Sequence, residues 1–117
     1  MVEIIPHFDD SELRCKCGCG QLQTDKDFLN KLSKLRELCG FPLTVTSYFR
    51  CCNHPEEVSK AVPGWHNKGM AIDIVKPQGI RGYLLLKNAI EVGFTGIGVA
   101  KTFIHLDTRD TPAVWGY

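Results

Sequence analysis

Three residues of this chain have the types and spacing to share one metal ion. In Gly64-Trp65-His66-Asn67-Lys68-Gly69-Met70-Ala71-Ile72-Asp73-Ile74 a histidine precedes an aspartate, and a second histidine follows at His105. Side chains two apart on a strand share a face, so Gly69, Ala71 and Asp73 lie on one side and Met70, Ile72 and Ile74 on the other. The apolar set reads as core, with Met70 in it, while Gly and Ala leave an open floor beside the carboxylate. His66, in the loop after Pro63-Gly64, can fold back over that floor. A second alternating segment, Phe103-Ile104-His105-Leu106-Asp107, turns His105 and Asp107 away from Ile104 and Leu106. Imidazole and carboxylate suit zinc, and three protein ligands leave a fourth position for water, which is the catalytic arrangement. Zinc brings the pKa of its water to about 7 and polarises a carbonyl, so hydrolysis is the chemistry such a site supports. The competing reading of the same residues is a loop histidine and a satisfied strand histidine.

The elements that must position these groups follow an α+β order. Residues 1 to 23 read as irregular, with a helical turn at Asp9 to Leu13. Thr24 or Asp25 caps a helix whose Phe28, Leu29, Leu32, Leu35 and Leu38 recur at helical spacing, and Gly40 ends it. Pro42 to Ser47 reads as a strand, and Asn53 to about Ala61 as a short helix broken by Pro63-Gly64. The His-Asp segment gives a strand over about 69 to 75. Pro77 and Gln78 introduce a helix near 79 to 92, with Ile80, Leu84, Leu85, Ala89 and Ile90 on its buried side and Gly93 after its end. Gly96 to Val99 and Thr102 to Asp107 read as two strands joined by a tight turn at Ala100-Lys101. Together these imply a small antiparallel sheet packed against two main helices. Gly96 and Gly98 make no dinucleotide fingerprint, because the third glycine and the following helix are absent.

The stretch His66-x-x-Gly69-x-Ala71-x-Asp73, followed by His105-x-Asp107, resembles the M15 family of zinc peptidases, the D-Ala-D-Ala carboxypeptidases and related phage and bacterial peptidoglycan peptidases. Thr46-Ser47-Tyr48-Phe49-Arg50 resembles that family's Ser-x-x-Arg turn. Phe8 to Gly20, with Ser11-Glu12-Leu13 and Cys15-Lys16-Cys17-Gly18-Cys19-Gly20, resembles the opening of its small single-domain branch. The order of these segments from about residue 8 to about 110 is more specific than any one of them. The resemblance implies a fold like that of the D-Ala-D-Ala peptidases and of the hedgehog signalling domain, with zinc (Zn2+) held by His66, Asp73 and His105. It further implies that Arg50 faces the substrate, where a guanidinium holds a carboxylate or an oxyanion, with Ser47 beside it in the substrate-binding turn. The residue-level alternative for Arg50 is a surface arginine in a turn.

Two positions depart from the family pattern. Gly64 stands where many members have serine, and Thr102 stands where several branches place a general base three residues before the last zinc histidine. Threonine cannot take that proton. Asp107 is the nearest carboxylate on the same strand face, with three readings open: general base, the preferred one, orienter of His105, or a site that has lost catalysis. Glu56, Glu57 and Asp110 are distant candidates for the same work. Trp65, beside His66, is a wall for a substrate side chain or sugar, or packs the loop. His7 and His54 read as exposed or structural, and Trp115 and Tyr117 as anchors of the C-terminal tail.

The implied activity is hydrolysis of peptide bonds in peptidoglycan stem peptides, at bonds involving D-amino acids, by an endopeptidase first and a carboxypeptidase second. The alternative from another class is a zinc-containing wall-binding or structural module without hydrolysis. At 117 residues and 44% hydrophobic content the chain suits one domain, residues 1 to 117. A formal net charge of +1 with no basic run gives no pointer to a nucleic-acid or membrane-surface binder, and it disfavours a third reading, a cysteine-clustered zinc module for nucleic acid. No stretch reaches the ~20 apolar residues of a membrane span, and the start lacks the pattern of a secretion signal. The expectation is a monomer made in the cytoplasm that acts on the cell wall, as a phage or prophage protein released at lysis would. The six cysteines, Cys15, Cys17, Cys19, Cys39, Cys51 and Cys52, leave three states open: reduced thiols, disulfides from the N-terminal loop to Cys51 or Cys52, or a second metal.

Overall fold

The 14-residue apolar periodicity that begins after Asp25 produces α2 (Lys26–Cys39), in the computed structural model described over residues 3–17, 19–50 and 66–117. The Asp25 carboxylate accepts from the Phe28 backbone N–H at 2.9 Å, and Gly40 closes the helix with φ 71°, a conformation that favours glycine. The elements in chain order are β1 (Glu3–Ile5), β2 (Phe8–Asp9), α1 (Asp10–Leu13), α2, β3 (Val45–Ser47), a 3₁₀ turn (His66–Lys68), β4 (Ala71–Val75), α3 (Gly79–Val92), β5 (Gly96–Val99), β6 (Phe103–Asp107) and β7 (Ala113–Gly116).

Five of these strands form one sheet in the order β3-β4-β6-β5-β7. The first four are mutually antiparallel, whereas β7 lies parallel to β5 at the edge, so the sheet is mixed rather than purely antiparallel. Trp115, expected with Tyr117 to anchor the C-terminal tail on the core, belongs to this added strand, and Tyr117 follows it. Two further expectations shift: the His-Asp strand starts at Ala71 rather than at Gly69, and the strand before Arg50 is confined to Val45–Ser47. Gly69 instead ends the turn at φ 70°, where a Cβ would meet the Gln23 carbonyl oxygen at 2.6 Å and the Tyr48 hydroxyl at 2.8 Å. The opening, read as irregular apart from one helical turn, also carries the β1–β2 hairpin ahead of α1. The short helix expected over Asn53 to Ala61 lies outside the described residues.

One face of the sheet turns Ile72, Ile74, Ile97, Ile104 and Leu106 into a core shared with Phe28, Leu32 and Leu35 of α2 and Leu85 and Ala89 of α3. Removing such side chains from water contributes about 25 cal/mol per Å2, which is the main force holding helices to sheet. Ile80 and Ile90 of α3, expected on the buried side, are 74% and 62% exposed. The stripe Leu85, Asn88 and Ala89 faces the core, and the two isoleucines stand beyond its edges. Leu38 is likewise half-exposed at the end of α2. The opposite face of the sheet holds the polar residues Asp73 of β4 and His105 and Asp107 of β6, all three buried. Ile72→Ala is therefore expected to destabilise the fold by about 2–5 kcal/mol, and Ile90→Ala by less than about 0.5 kcal/mol, as read from urea unfolding midpoints.

Candidate metal centre

The β4–β6 register sets Asp73 directly opposite His105, and Ala71 opposite Asp107. The neighbouring pairings extend these into two rows across the sheet. One runs Ser47, Asp73, His105, Gly98 and Trp115, and the next runs Ala71, Asp107, Gly96 and Ala113. His66 reaches the first row from the 3₁₀ turn, as its position in the sequence suggested. His66, Asp73 and His105 are all buried, and one ligand atom from each lies within 4.8 Å of the other two.

The Asp73 carboxylate divides its two oxygens. Oδ1 lies 3.4 Å from His66 Nε2 and 3.0 Å from His105 Nδ1, while Oδ2 accepts from Arg50 Nη2 at 3.0 Å. The far nitrogen of each imidazole is held in turn. His66 Nδ1 donates to the Tyr48 carbonyl at 2.7 Å, and His105 Nε2 donates to Asp107 Oδ2 at 2.7 Å. These two bonds select the tautomers that leave His66 Nε2 and His105 Nδ1 facing Asp73, the outer support that metal-ligating histidines ordinarily have. A tetrahedral zinc with bonds of about 2.0–2.1 Å separates its ligand atoms by about 3.3–3.4 Å. The donor set and its spacing therefore fit such an ion.

Asp107 is fully buried on the opposite edge of the His105 ring from Asp73. Arg109 encloses it, donating to Oδ1 from its backbone N–H at 3.1 Å and Nε at 2.9 Å, and to Oδ2 from Nη2 at 2.6 Å. The Arg109 guanidinium also stands 4.4 Å from the centre of the Trp115 ring, which lies 5.3 Å from that of His105. The glycines opposite make this stack possible: a Cβ on Gly96 would overlap the Asp107 carboxylate, and one on Gly98 would meet Trp115 Nε1 at 2.7 Å. Sequence reading missed Arg109 and Trp115. The alternation His105-x-Asp107-x-Arg109 was an available signal for the first, whereas nothing local marked the second. Tyr48 was also missed; its hydroxyl donates to the Gly69 carbonyl at 2.5 Å and pins the turn that presents His66.

Arg50 Nε donates to Ser47 Oγ at 3.0 Å, so these two residues meet as the Ser-x-x-Arg spacing implied. Both line a cavity of about 480 Å3 whose walls also include Asp73, Lys16, Phe103 and Tyr117. Lys16 is a second cation there that the sequence did not single out. Thr102 and Asp110 are exposed, and the Thr102 carbonyl accepts from the Lys76 backbone N–H at 3.0 Å. Trp65, Cys51, Cys52, His54, Glu56 and Glu57 lie outside the described residues.

Burial by itself would raise the Asp73 carboxyl, but hydrogen bonds from His105 and His66 outweigh it and hold the group well below the usual carboxylate range. The same opposition operates at Asp107, where His105 and Arg109 prevail over burial. Burial would lower His105, yet Asp107 and Asp73 on its two nitrogens raise it above the ordinary value.

The family model for Peptidase M15 matches residues 6–107, and the chain belongs to that family of metallopeptidases. No curated protein matches the chain.

The signs of the shifts define a stability window for the metal-free chain. The raised His105 contributes stability that is fully present below its unfolded pKa of about 6.5 and is lost as pH rises through the folded value. The lowered Asp73 and Asp107 contribute stability present above about pH 3.9 and lost as pH falls toward their folded values. Thermal unfolding of the chelated protein across this range is expected to show both losses, and His105→Gln to remove the upper one.

Proposed function

We propose that this chain is a zinc-dependent peptidase acting on peptidoglycan stem peptides, with His66 Nε2, Asp73 Oδ1 and His105 Nδ1 as the metal ligands. The buried His-Asp-His set with its two externally fixed tautomers, in a Peptidase M15 chain, is the observation that carries this reading. Two imidazoles and one carboxylate match zinc in softness and leave a coordination position for the reaction. When bound, zinc supplies Lewis acidity that polarises the scissile carbonyl and acidifies water.

The chain's own residues do the rest. Tyr48 and Asp107 orient the two imidazoles, and Arg109 keeps Asp107 ionised and fixed. Arg50 aligns the Asp73 carboxylate through Oδ2, and its guanidinium lines the cavity, where it is placed to hold a substrate carboxylate or the oxyanion of the tetrahedral intermediate. Ser47 Oγ accepts from Nε and restricts the angle of that guanidinium. Asp107 is assigned as a positioning residue rather than the general base first preferred for it, because its oxygens are engaged by His105 and Arg109 and it has no exposed surface. An endopeptidase cut inside a cross-link is the first reading of the bond. A specific observation favours the second, a carboxypeptidase: Lys16 and Arg50 line one cavity and together suit a free terminal carboxylate.

Digestion of purified muropeptides by the zinc-loaded chain, with mass spectrometry of the products, tests the proposal. Chelator-sensitive cleavage is expected, and the product masses separate the two bonds. Intact substrate across several wall types, with zinc still bound at the histidines, would leave a wall-binding module instead. Arg50→Ala is expected to lower kcat/KM by about 10²–10³-fold with zinc retained. Asp107→Asn is expected to weaken zinc binding by about 10–100-fold, with most activity restored at saturating zinc. Activity that stays lost in the fully loaded variant would return Asp107 to the role of base.

A further inference from the structure

A second group of side chains able to hold a metal ion, sharing no residue with the histidine set, lies in the loop that follows α1. The Sγ atoms of Cys15, Cys17 and Cys19 all lie within 4.8 Å of one another. Cys15 and Cys17 approach to 3.4 Å, far beyond the ~2.05 Å of a disulfide bond. A tetrahedral zinc with Zn–S bonds of about 2.3 Å places its sulfurs about 3.8 Å apart, inside the range the three atoms span. The loop backbone is shaped to converge them. The Cys15 backbone N–H donates to the Gln21 carbonyl at 2.8 Å, and Arg14 Nη1 donates to the Gly20 carbonyl at 2.7 Å, so the loop closes at its base. Gly20 takes φ 69° at the point of return. The Gln21 backbone N–H donates to Cys19 Sγ at 3.4 Å and helps fix the position of that sulfur.

We propose that Cys15, Cys17 and Cys19 bind a second zinc ion as thiolates, in a structural site separate from the histidine centre. Thiolate sulfur is a soft ligand that suits zinc, and the three Sγ atoms converge closely enough to share one such ion. Each thiol loses its proton to solvent as its S–Zn bond forms, so binding releases up to three protons and involves no change of oxidation state. The site has a consequence for the neighbouring cavity. Lys16 sits between the first two ligands, lines the cavity with Arg50 and Asp73, and donates from Nζ to the Ser11 carbonyl at 2.8 Å. Metal at the cysteines would fix the loop that presents this cation. The inference does not depend on the peptidase reading, since its ligands and its readouts are distinct from those of the histidine centre.

The test is a Co2+ and Zn2+ titration of the full chain, purified under reducing conditions. The wild type is expected to bind two zinc ions and, with Co2+, to develop the intense thiolate-to-metal absorption that nitrogen and oxygen ligands do not give. Intensity corresponding to three or four thiolates supports the site, and intensity for one or none overturns it. The His66→Ala/His105→Ala variant should keep the band and lose one ion, whereas Cys17→Ser/Cys19→Ser should lose the band. Alkylation of the wild type keeps the test decisive if those variants do not fold. Zinc should protect Cys15, Cys17 and Cys19 from iodoacetamide, as read by peptide mass spectrometry, and equal labelling with and without zinc would refute the proposal.

Discussion

The direct pairing of Asp73 with His105 across β4 and β6 is the constraint on which the candidate site rests. A shift of one residue in that register would send one of the two side chains into the helix-packed core. Ile72, Ile74, Ile104 and Leu106 guard against the shift, because each would then have to leave the core for the polar face. The hydrophobic layer on one side of the sheet thus fixes the chemistry on the other. The same rows explain why β5 is so poor in side-chain volume toward that face: Gly96 and Gly98 yield their space to Asp107 and Trp115.

Charge is arranged around this pair in alternation. Arg50, Asp73, His105, Asp107 and Arg109 form a continuous chain of contacts, each basic group adjoining an acidic one. In a region with little water, such an order lets each buried carboxylate find donors for its oxygens without leaving a net charge unpaired. It also separates the two aspartates by function of place. Asp73 faces the cavity with two imidazoles and one guanidinium, whereas Asp107 is sealed behind the His105 ring.

Much of this was legible in the sequence because period and chemistry agreed. The two long helices follow from their apolar spacing and from Gly40 and Gly93 beyond their ends, and the shared face of Asp73 and His105 follows from alternation in β4 and β6. What escaped depends on contacts distant along the chain. The parallel addition of β7 has no local signal, since Ala113–Gly116 is short and mostly exposed. Trp115 reaches His105 only through that addition. Ile80 and Ile90 look like core in a helical projection, yet the width of the buried stripe is decided by how α3 lies on α2 and the sheet. The hydrogen bonds of Arg109 to Asp107, two residues before it, were likewise outside the sequence reading, which weighed Asp107 without that partner.

The 32-residue separation of Asp73 and His105, with all of α3 between them, bears on how the protein acquires its site. Closing a loop of that length costs about 3 kcal/mol in chain entropy, which the pairing of β4 with β6 and the packing of α3 must offset. The histidine centre, which brings together residues far apart along the chain, thus has little counterpart in the unfolded chain. A metal held there would weight only the folded structure, adding about 2.7 kcal/mol to stability at a free concentration one hundred times its dissociation constant. Availability of the ion would then govern how long the protein persists as well as whether it can react.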